Sequence, residues 1–450
     1  MKKLSRFMFL VCLMAMIFSA TSCASSGFGG LIGDAAPGGG FGGGLKGDYD
    51  GGVMAPEMDS AMPDGEYSEE DAEVTEPSDK NEDEVVILPS GMITAGAWND
   101  NDNYQAWLDL FAQGEEENGK FYLYTNPTNS WGFNSLNRVK VTVKSGEDVV
   151  AGATVVAKDN EGKILYSAVS DAQGNAYLFP NASEGTVTVS CSGISETLSF
   201  SKENNEINFD VFGKGDKLNT IEIMLVVDVT GSMGDEIYFL KAELADVINR
   251  IAENNSGAII KLAMLFYRDL DDRVPFDYYD FTNVNTESGM AAQQKALNNQ
   301  GASGGGDYPE AVDDALEMAV NKQWSTGATT KIIFHVLDAP AHEGEQYASK
   351  LVNATKIAAE KGIRICPIIC SGAAESTEYT MREAAIYTGG TFIFVTDDSG
   401  IGGSHHDPKL PNVTVELLNS LMVRLVNGYH TGNFDDPVYW KEDPNLGTKK

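Results

Sequence analysis

The strongest constraint in this chain is a change of periodicity. From about residue 218, apolar runs of strand length alternate with stretches whose apolar residues recur at helical spacing. Ile221 to Val227 is apolar except for Glu222. Behind it Ile237, Leu240, Leu244, Val247, Ile248 and Ile251 fall at i, i+3, i+4 and i+7, one face of a helix. Further apolar runs at Ile259 to Tyr267, Lys331 to Leu337, Ile363 to Ile369 and Thr391 to Val395 alternate with helical stretches at Pro309 to Val320, Glu345 to Ala359, Ser376 to Tyr387 and Val413 to Val426. A strand without polar alternation must be covered on both faces, and the intervening helices supply the cover. The predicted fold class is therefore α/β, a mostly parallel sheet with helices on both faces. Ligands of such sheets bind at the carboxyl ends of the strands.

Ahead of this region the pattern is different. Val139 to Val143, Ala153 to Lys158, Leu165 to Ser170, Ala176 to Leu178, Thr186 to Ser190 and Glu196 to Phe200 are short runs rich in Val, Thr and Tyr, separated by turn residues. They predict a small all-β, antiparallel sandwich over 136–213. The stretch Gly152 to Asp159, followed by Asp171 to Ala176, resembles bacterial Ig-like and carboxypeptidase-regulatory-like modules, which implies a spacer or adhesive module. Residues 91–135 carry Trp98, Tyr104, Trp107 and Phe111 and read as a docking segment, a helix packed on its neighbour.

The remaining bias lies at the start. Lys2, Lys3 and Arg6 precede an apolar run from Phe7 to Phe18, too short to span a bilayer, and small residues lead to Cys23. Ala20-Thr21-Ser22-Cys23 resembles a bacterial lipobox, which implies a signal peptide over 1–23, acylation of Cys23 and attachment through that lipid to a membrane of the bacterial envelope, with the outer membrane as the expected one. The competing reading is an ordinary signal peptide and a soluble secreted product. Residues 24–90 are Gly-rich and then acidic, and predict a disordered stalk, since such a stretch buries too little apolar surface to offset its ordering entropy. Lys and Arg number 32 against 66 Asp and Glu, a net charge of -34, which repels a phosphate backbone and excludes sequence-independent nucleic-acid binding. Cys191, Cys366 and Cys370 form neither a disulfide framework nor a thiol zinc motif.

The chemistry is expected at the strand ends. The first strand of the α/β region runs into Asp228-Val229-Thr230-Gly231-Ser232, a carboxylate and two hydroxyls at alternate positions. Asp338 follows the strand Lys331 to Leu337, and Asp307 stands in the loop Gly304-Gly305-Gly306-Asp307-Tyr308-Pro309-Glu310. Hard oxygens of this kind suit a divalent cation, and few carboxylates with hydroxyls and waters suit magnesium. Asp228-x-Thr230-x-Ser232 resembles the metal-ion-dependent adhesion site of von Willebrand factor type A domains, a Rossmann-like fold. The resemblance covers about 218–430 and leaves 431–450 as a tail. It implies metal ligation by Asp228, Thr230, Ser232, Asp307 and Asp338, with Mg2+ first and Mn2+ or Ca2+ as alternatives. Asp307 stands where the family has Thr. Three ionised carboxylates about a dication leave a net charge of about -1, which weakens capture of a partner's carboxylate.

Each residue also has a structural reading. Asp228 fits a turn, Ser232 a helix cap, and Asp307 with Glu310 a capping box before the next helix. His405-His406-Asp407 lacks a third spaced ligand and reads as a solvated loop; His342 and Arg268 read as neighbours of the site or as surface. The functional expectation is a non-enzymatic envelope protein of the adhesion type, engaging a protein or glycan partner on or near the cell surface through the metal. The alternatives are a metal-stabilised structural protein and a metal-dependent hydrolase. The hydrolase lacks an Asp-x-Asp catalyst, a Gly-x-Ser-x-Gly elbow and a P-loop lysine.

Overall fold

The aromatic-rich segment opens with a strand, β1 (Thr94–Trp98), and only then turns into the six-residue helix α1 (Tyr104–Asp109). A computed structural model describes residues 91–113, 120–126, 128, 130–211, 218–327, 329–399, 408 and 410–447. The leader, Cys23, the stalk at 24–90 and the His405-His406-Asp407 loop lie outside the described residues.

Eight strands follow: β2 (Val139–Ser145), β3 (Asp148–Val149), β4 (Thr154–Lys158), β5 (Ile164–Val169), β6 (Asn175–Leu178), β7 (Glu184–Cys191), β8 (Ile194–Ser201) and β9 (Glu206–Asp210). They make two four-stranded sheets, one of β3-β2-β6 with β9 on β2, the other ordered β5-β4-β7-β8. Alternation fixes their inner faces: Val139, Val141 and Val143 of β2 are buried, as are Val155 and Ala157 of β4 and Val187 and Val189 of β7. The pairing is not wholly antiparallel, because β9 runs parallel to β2.

The α/β region contains β10 (Thr220–Asp228), α2 (Gly234–Asn254), β11 (Ile259–Tyr267), β12 (Phe276–Asn283), α3 (Glu287–Asn298), α4 (Val312–Val320), β13 (Thr329–Leu337), α5 (Glu345–Lys361), β14 (Ile363–Ile369), α6 (Glu375–Thr388), β15 (Phe392–Val395), β16 (Glu416–Leu417) and α7 (Leu418–Thr431). The sheet order is β12-β11-β10-β13-β14-β15-β1-β16, parallel from β11 to β15 and antiparallel at both margins. The expected mostly parallel α/β sheet is thus present, with edges that were not foreseen. The predicted stripe Ile237, Leu240, Leu244, Val247, Ile248 and Ile251 of α2 is buried on one face with α7; α4, α5 and α6 contribute to the core on the other.

This order places the site. The chain winds from β10 outward through β11 to β12, then returns to start again on the other side of β10 with β13. The helix after β10 covers one face and the helix after β13 the other, so the loops leaving these two strands diverge and open a crevice between them.

β1 belongs to the same sheet, and the surrounding packing shows why. Gly96 lies under the Phe394 ring, where an added Cβ would stand 2.4 Å from Cζ. Beyond the strand, Asp100 accepts from Arg382 Nε at 2.9 Å, and Arg382 Nη1 donates to Glu378 at 3.0 Å. Lys120 pairs with the other oxygen of Glu378, and all four side chains are almost fully buried.

Candidate metal centre at the carboxyl end of the sheet

β10 ends on Asp228, and the chain bends through a short 3-10 turn at Gly231–Met233 before α2 begins. Asp228 is fully buried. Its Oδ1 accepts from the Thr230 backbone N–H at 2.9 Å and from the Thr230 hydroxyl at 2.7 Å; Thr230 Oγ1 lies 3.4 Å from Ser232 Oγ. Alternate positions therefore do bring three oxygens into one chain of contacts. Ser232 does not cap α2, whose first flanking residue is Met233 with no side-chain cap.

The glycine loop is laid over this turn. Ser303 N–H donates to the Val229 carbonyl at 3.0 Å and Gly231 N–H to the Gly304 carbonyl at 3.2 Å. Gly304 and Gly305 hold φ of +81° and +73°, and Gly305 N–H donates to Asp272 at 2.9 Å. Both need the left-handed region, which side chains other than glycine's enter at a cost. Arg268 pins the same loop from outside, donating to the carbonyls of Ser303 at 2.7 Å and Gly301 at 3.2 Å.

The loop delivers Glu310 to the interior. Pro309 keeps the residue before it out of helix, and α4 starts only at Val312. Glu310 forms an isolated parallel bridge with Ala341, its N–H donating to the Pro340 carbonyl at 3.0 Å. It is buried beside Asp338, whereas Asp307 is exposed on the rim. The capping-box reading of the pair does not hold, since Ala311 flanks α4 without a side-chain cap.

Thr230, Ser232, Asp307, Glu310 and Asp338 line one cleft of about 530 Å³, and Asp228 lies beneath its floor, behind Thr230. Tyr308 closes one side, donating to the carbonyls of Gly372 at 3.0 Å and Asp338 at 3.3 Å. Asp228 Oδ2, Asp338 Oδ1 and Glu310 Oε2 are buried with no hydrogen-bond partner among the described residues. Burial pushes the Asp228 carboxyl up to about 7 against the two Thr230 hydrogen bonds, with Asp338 adding to the rise. Glu310 is pushed up to about 9 by burial and by the carboxylates of Asp228, Asp269, Asp272 and Asp338. Asp338 is raised by burial, against a hydrogen bond with Ser232. Unpartnered buried carboxylate oxygens with mutually raised pKa values are the setting that a hard dication would relieve. Among the described residues no three Asp, Glu, His or Cys side chains form a metal-holding group by themselves, so hydroxyls and waters would have to complete any coordination sphere.

The remaining candidates fall elsewhere. His342 is 2.8 Å from Asp269 rather than against Ser232. Beneath the floor, His335 and the Tyr267 hydroxyl lie 3.1 Å apart, both fully buried, and burial pushes His335 down to about 3, which keeps it neutral. Sequence reasoning missed Glu310 as a site residue; its signal was a carboxylate three residues beyond Asp307 and directly after Pro309, ahead of the helix.

Parts of the chain are similar to known proteins. The alpha-protein kinase vwkA of Dictyostelium discoideum is 25% identical over 132 residues, 29% of this chain, and the chain spans only 20% of the length of that curated relative. Among solved structures, the conserved hypothetical protein BatB from Bacteroides thetaiotaomicron aligns with TM-score 0.29 and 17% identity, covering 39% of this chain and 89% of that one. The pilus adhesin SpaC from Lactobacillus rhamnosus GG, in an open conformation, aligns with TM-score 0.33 and 11% identity, covering 63% of this chain and 34% of that one. Residues 222–397 match the von Willebrand factor A domain family, and a von Willebrand factor A domain is what this part of the chain contains.

Proposed function

We propose that the domain binds a divalent cation, magnesium before manganese or calcium, and uses it to engage a protein or glycan partner at the bacterial cell envelope. Asp228, Thr230, Ser232 and Asp338 would hold the ion, with Glu310 beside it and Asp307 on the rim. The observation that carries this reading is the group of three buried carboxylate oxygens, Asp228 Oδ2, Glu310 Oε2 and Asp338 Oδ1, without a hydrogen-bond partner among the described residues. Bound there, the ion would supply a Lewis-acidic point able to take an oxygen from a partner.

The chain's own residues shape what that partner offers. Thr230 orients Asp228 through two hydrogen bonds, and a side-chain hydrogen bond of Ser232 favours the ionised form of Asp338. Two ionised carboxylates neutralise a dication, and ionisation of Glu310 would bring the site to about -1. Such a site favours a neutral oxygen, an amide carbonyl or a sugar hydroxyl, over a carboxylate. A binding role rather than hydrolysis is supported by Ser232, which has hydroxyl and carboxylate neighbours, while His342 is engaged by Asp269. The leader and Cys23 support export and lipid attachment, and the sandwich between stalk and domain supports a spacer role.

The test is a calorimetric titration of Mg2+ into the EDTA-stripped full chain, followed by capture from an envelope extract with Mg2+ or EDTA. Asp338→Ala and Ser232→Ala should each weaken cation binding at least roughly tenfold and abolish Mg2+-dependent capture. Unchanged titrations in both variants would remove the site. Intact cation binding with a raised melting temperature and no captured partner would assign the ion a structural role instead.

A further inference from the structure

At the other end of the sheet a second cleft, of about 600 Å³, lies between the sandwich and the amino ends of β13 and β14. Its charge is opposite to that of the chain. Acidic residues outnumber basic ones 66 to 32 overall, yet Lys322, Lys331, Lys361 and Arg364 line this cleft against Asp171 and Glu360. Asp171 lies in the field of Arg364, but among the described residues neither carboxylate forms an ion pair with the cations. Asp171 Oδ1 accepts from the backbone N–H groups of Gln173 at 2.9 Å and Asn175 at 2.8 Å, and Glu360 is exposed. Glu222, behind Lys331, is engaged by Lys261 at 3.0 Å and by the Ser325 N–H at 2.8 Å. Among the described residues Lys331, Lys361 and Arg364 have no ion-pair partner, although Lys331 and Arg364 are each only 8% exposed.

What these cations do touch is backbone. Lys331 Nζ donates to the Lys361 carbonyl at 2.9 Å, Lys361 Nζ to the Val320 carbonyl at 2.8 Å, and Arg364 Nη2 reaches the Val169 carbonyl at 3.5 Å. Lys361 and Val320 are the last residues of α5 and α4, so the two lysines meet helix carboxyl ends, where cations are favoured. That accounts for one donor on each lysine. An ammonium has three and a guanidinium five, so most of the donors remain to be used, and like charges remain close together. Burial holds Lys331 below the ordinary lysine value, Glu222 opposing the fall and Lys361 and Arg364 adding to it.

We propose that this cleft binds a small oxyanion-bearing ligand, a phosphate or sulfate ester, through Lys331, Lys361 and Arg364. A tetrahedral oxyanion accepts several hydrogen bonds at once and offsets the excess of basic over acidic side chains in the wall. The cleft volume suits a small ester. Since Val169, Ser170 and Asp171 of the sandwich share the lining, an occupant also ties the sandwich to the sheet.

The experiment uses the full chain in EDTA, which keeps cations from the acidic cleft, and titrates inorganic phosphate and inorganic sulfate against chloride at matched ionic strength. Saturable binding of at least one oxyanion is expected, with a melting temperature above that in chloride. Lys361→Met and Arg364→Gln should each weaken it roughly tenfold, the loss of one charge-assisted contact, while Asp228→Ala leaves it unchanged. Lys361 is half-buried, and circular dichroism of Lys361→Met checks that the fold survives. The better-bound oxyanion names the ester. No saturable binding of either at millimolar concentration, or binding that survives both substitutions, would overturn the proposal.

Discussion

Arg382 of α6 and Asp228 at the end of β10 are both buried, but only the arginine has its charge answered. Arg382 lies between Asp100 and Glu378, and Lys120 takes the second oxygen of Glu378, so two positive and two negative groups close on themselves. Among the described residues Asp228, Glu310 and Asp338 have no cation at ion-pair distance; Arg268 acts on Asp228 through its field. The difference teaches how to read buried charge. A closed network has spent its electrostatics on joining β1 to α6, whereas an open one keeps a desolvation cost that a ligand can relieve. The basic cleft is the open case with the sign reversed, and β13 carries both, Lys331 near its start and Asp338 just past its end.

The largest effect should come from opening the closed network. Asp100→Ala leaves Arg382 buried with only Glu378 beside it, and should cost about 3–5 kcal/mol in urea denaturation. A loss under about 1 kcal/mol would mean that the network does not hold β1, and the contrast with Asp228 would fail. The converse change at the open site has the opposite sign. Asp228→Asn keeps an acceptor for Thr230 and removes the charge, so the metal-free chain should gain on the order of 2 kcal/mol at pH 8 and lose its response to Mg2+.

The pH dependence sharpens the same point. Asp228 and Glu310 have folded-state values raised to about 7 and about 9, above the ordinary 3.8 and 4.5. The folded chain therefore holds more protons than the unfolded one in that window, and the metal-free protein should lose stability as pH rises through it. Mg2+ competes with those protons, so its affinity should rise over the same range. Lys331 has the opposite shift: the folded chain holds fewer protons below the usual 10.5, and its contribution to stability should rise with pH toward that value. Melting curves from pH 5 to about 9, with Mg2+ and with EDTA, measure the acidic part. A slope that persists in Asp228→Asn would assign it to other groups.

How far the sequence reveals these regions follows from their burial. β10, β11, β13 and β14 lie inside a parallel sheet, so their residues are apolar without alternation and the strands stand out; Ile259–Tyr267 and Ile363–Ile369 have the expected bounds. The margins are harder to see. β12 is half-exposed and reads Phe-Asp-Tyr-Tyr-Asp-Phe-Thr-Asn, and β1 is five residues with a glycine at its centre, where Phe394 rather than local propensity dictates the residue. α7 begins at Leu418, not Val413, because Glu416 and Leu417 pair with β1. At the site, Asp228, Thr230 and Ser232 are legible because two-residue spacing is local. Glu310 is not, since only the path of the glycine loop turns it inward and leaves Asp307 outside.

The smallest effect tests that path. At Gly305, with φ +73°, a Cβ would meet Glu310 Oε1 at 2.6 Å and Thr230 Cβ at 3.2 Å. The first obstacle is the end of a movable side chain and can swing away; the second is closer to the backbone and yields less. Gly305→Ala should therefore cost about 1–2 kcal/mol, chiefly left-handed strain, and displace Glu310. Gly257 offers the control: its φ is +94° and nothing lies within 4 Å of the added Cβ, so Gly257→Ala carries similar backbone strain away from either cleft. If Glu310 belongs with the cation, Gly305→Ala lowers Mg2+ affinity and Gly257→Ala does not, at comparable losses in urea stability. Equal Mg2+ affinity in the two variants would return Glu310 to a structural role and leave Asp228, Thr230, Ser232 and Asp338 to hold the ion alone.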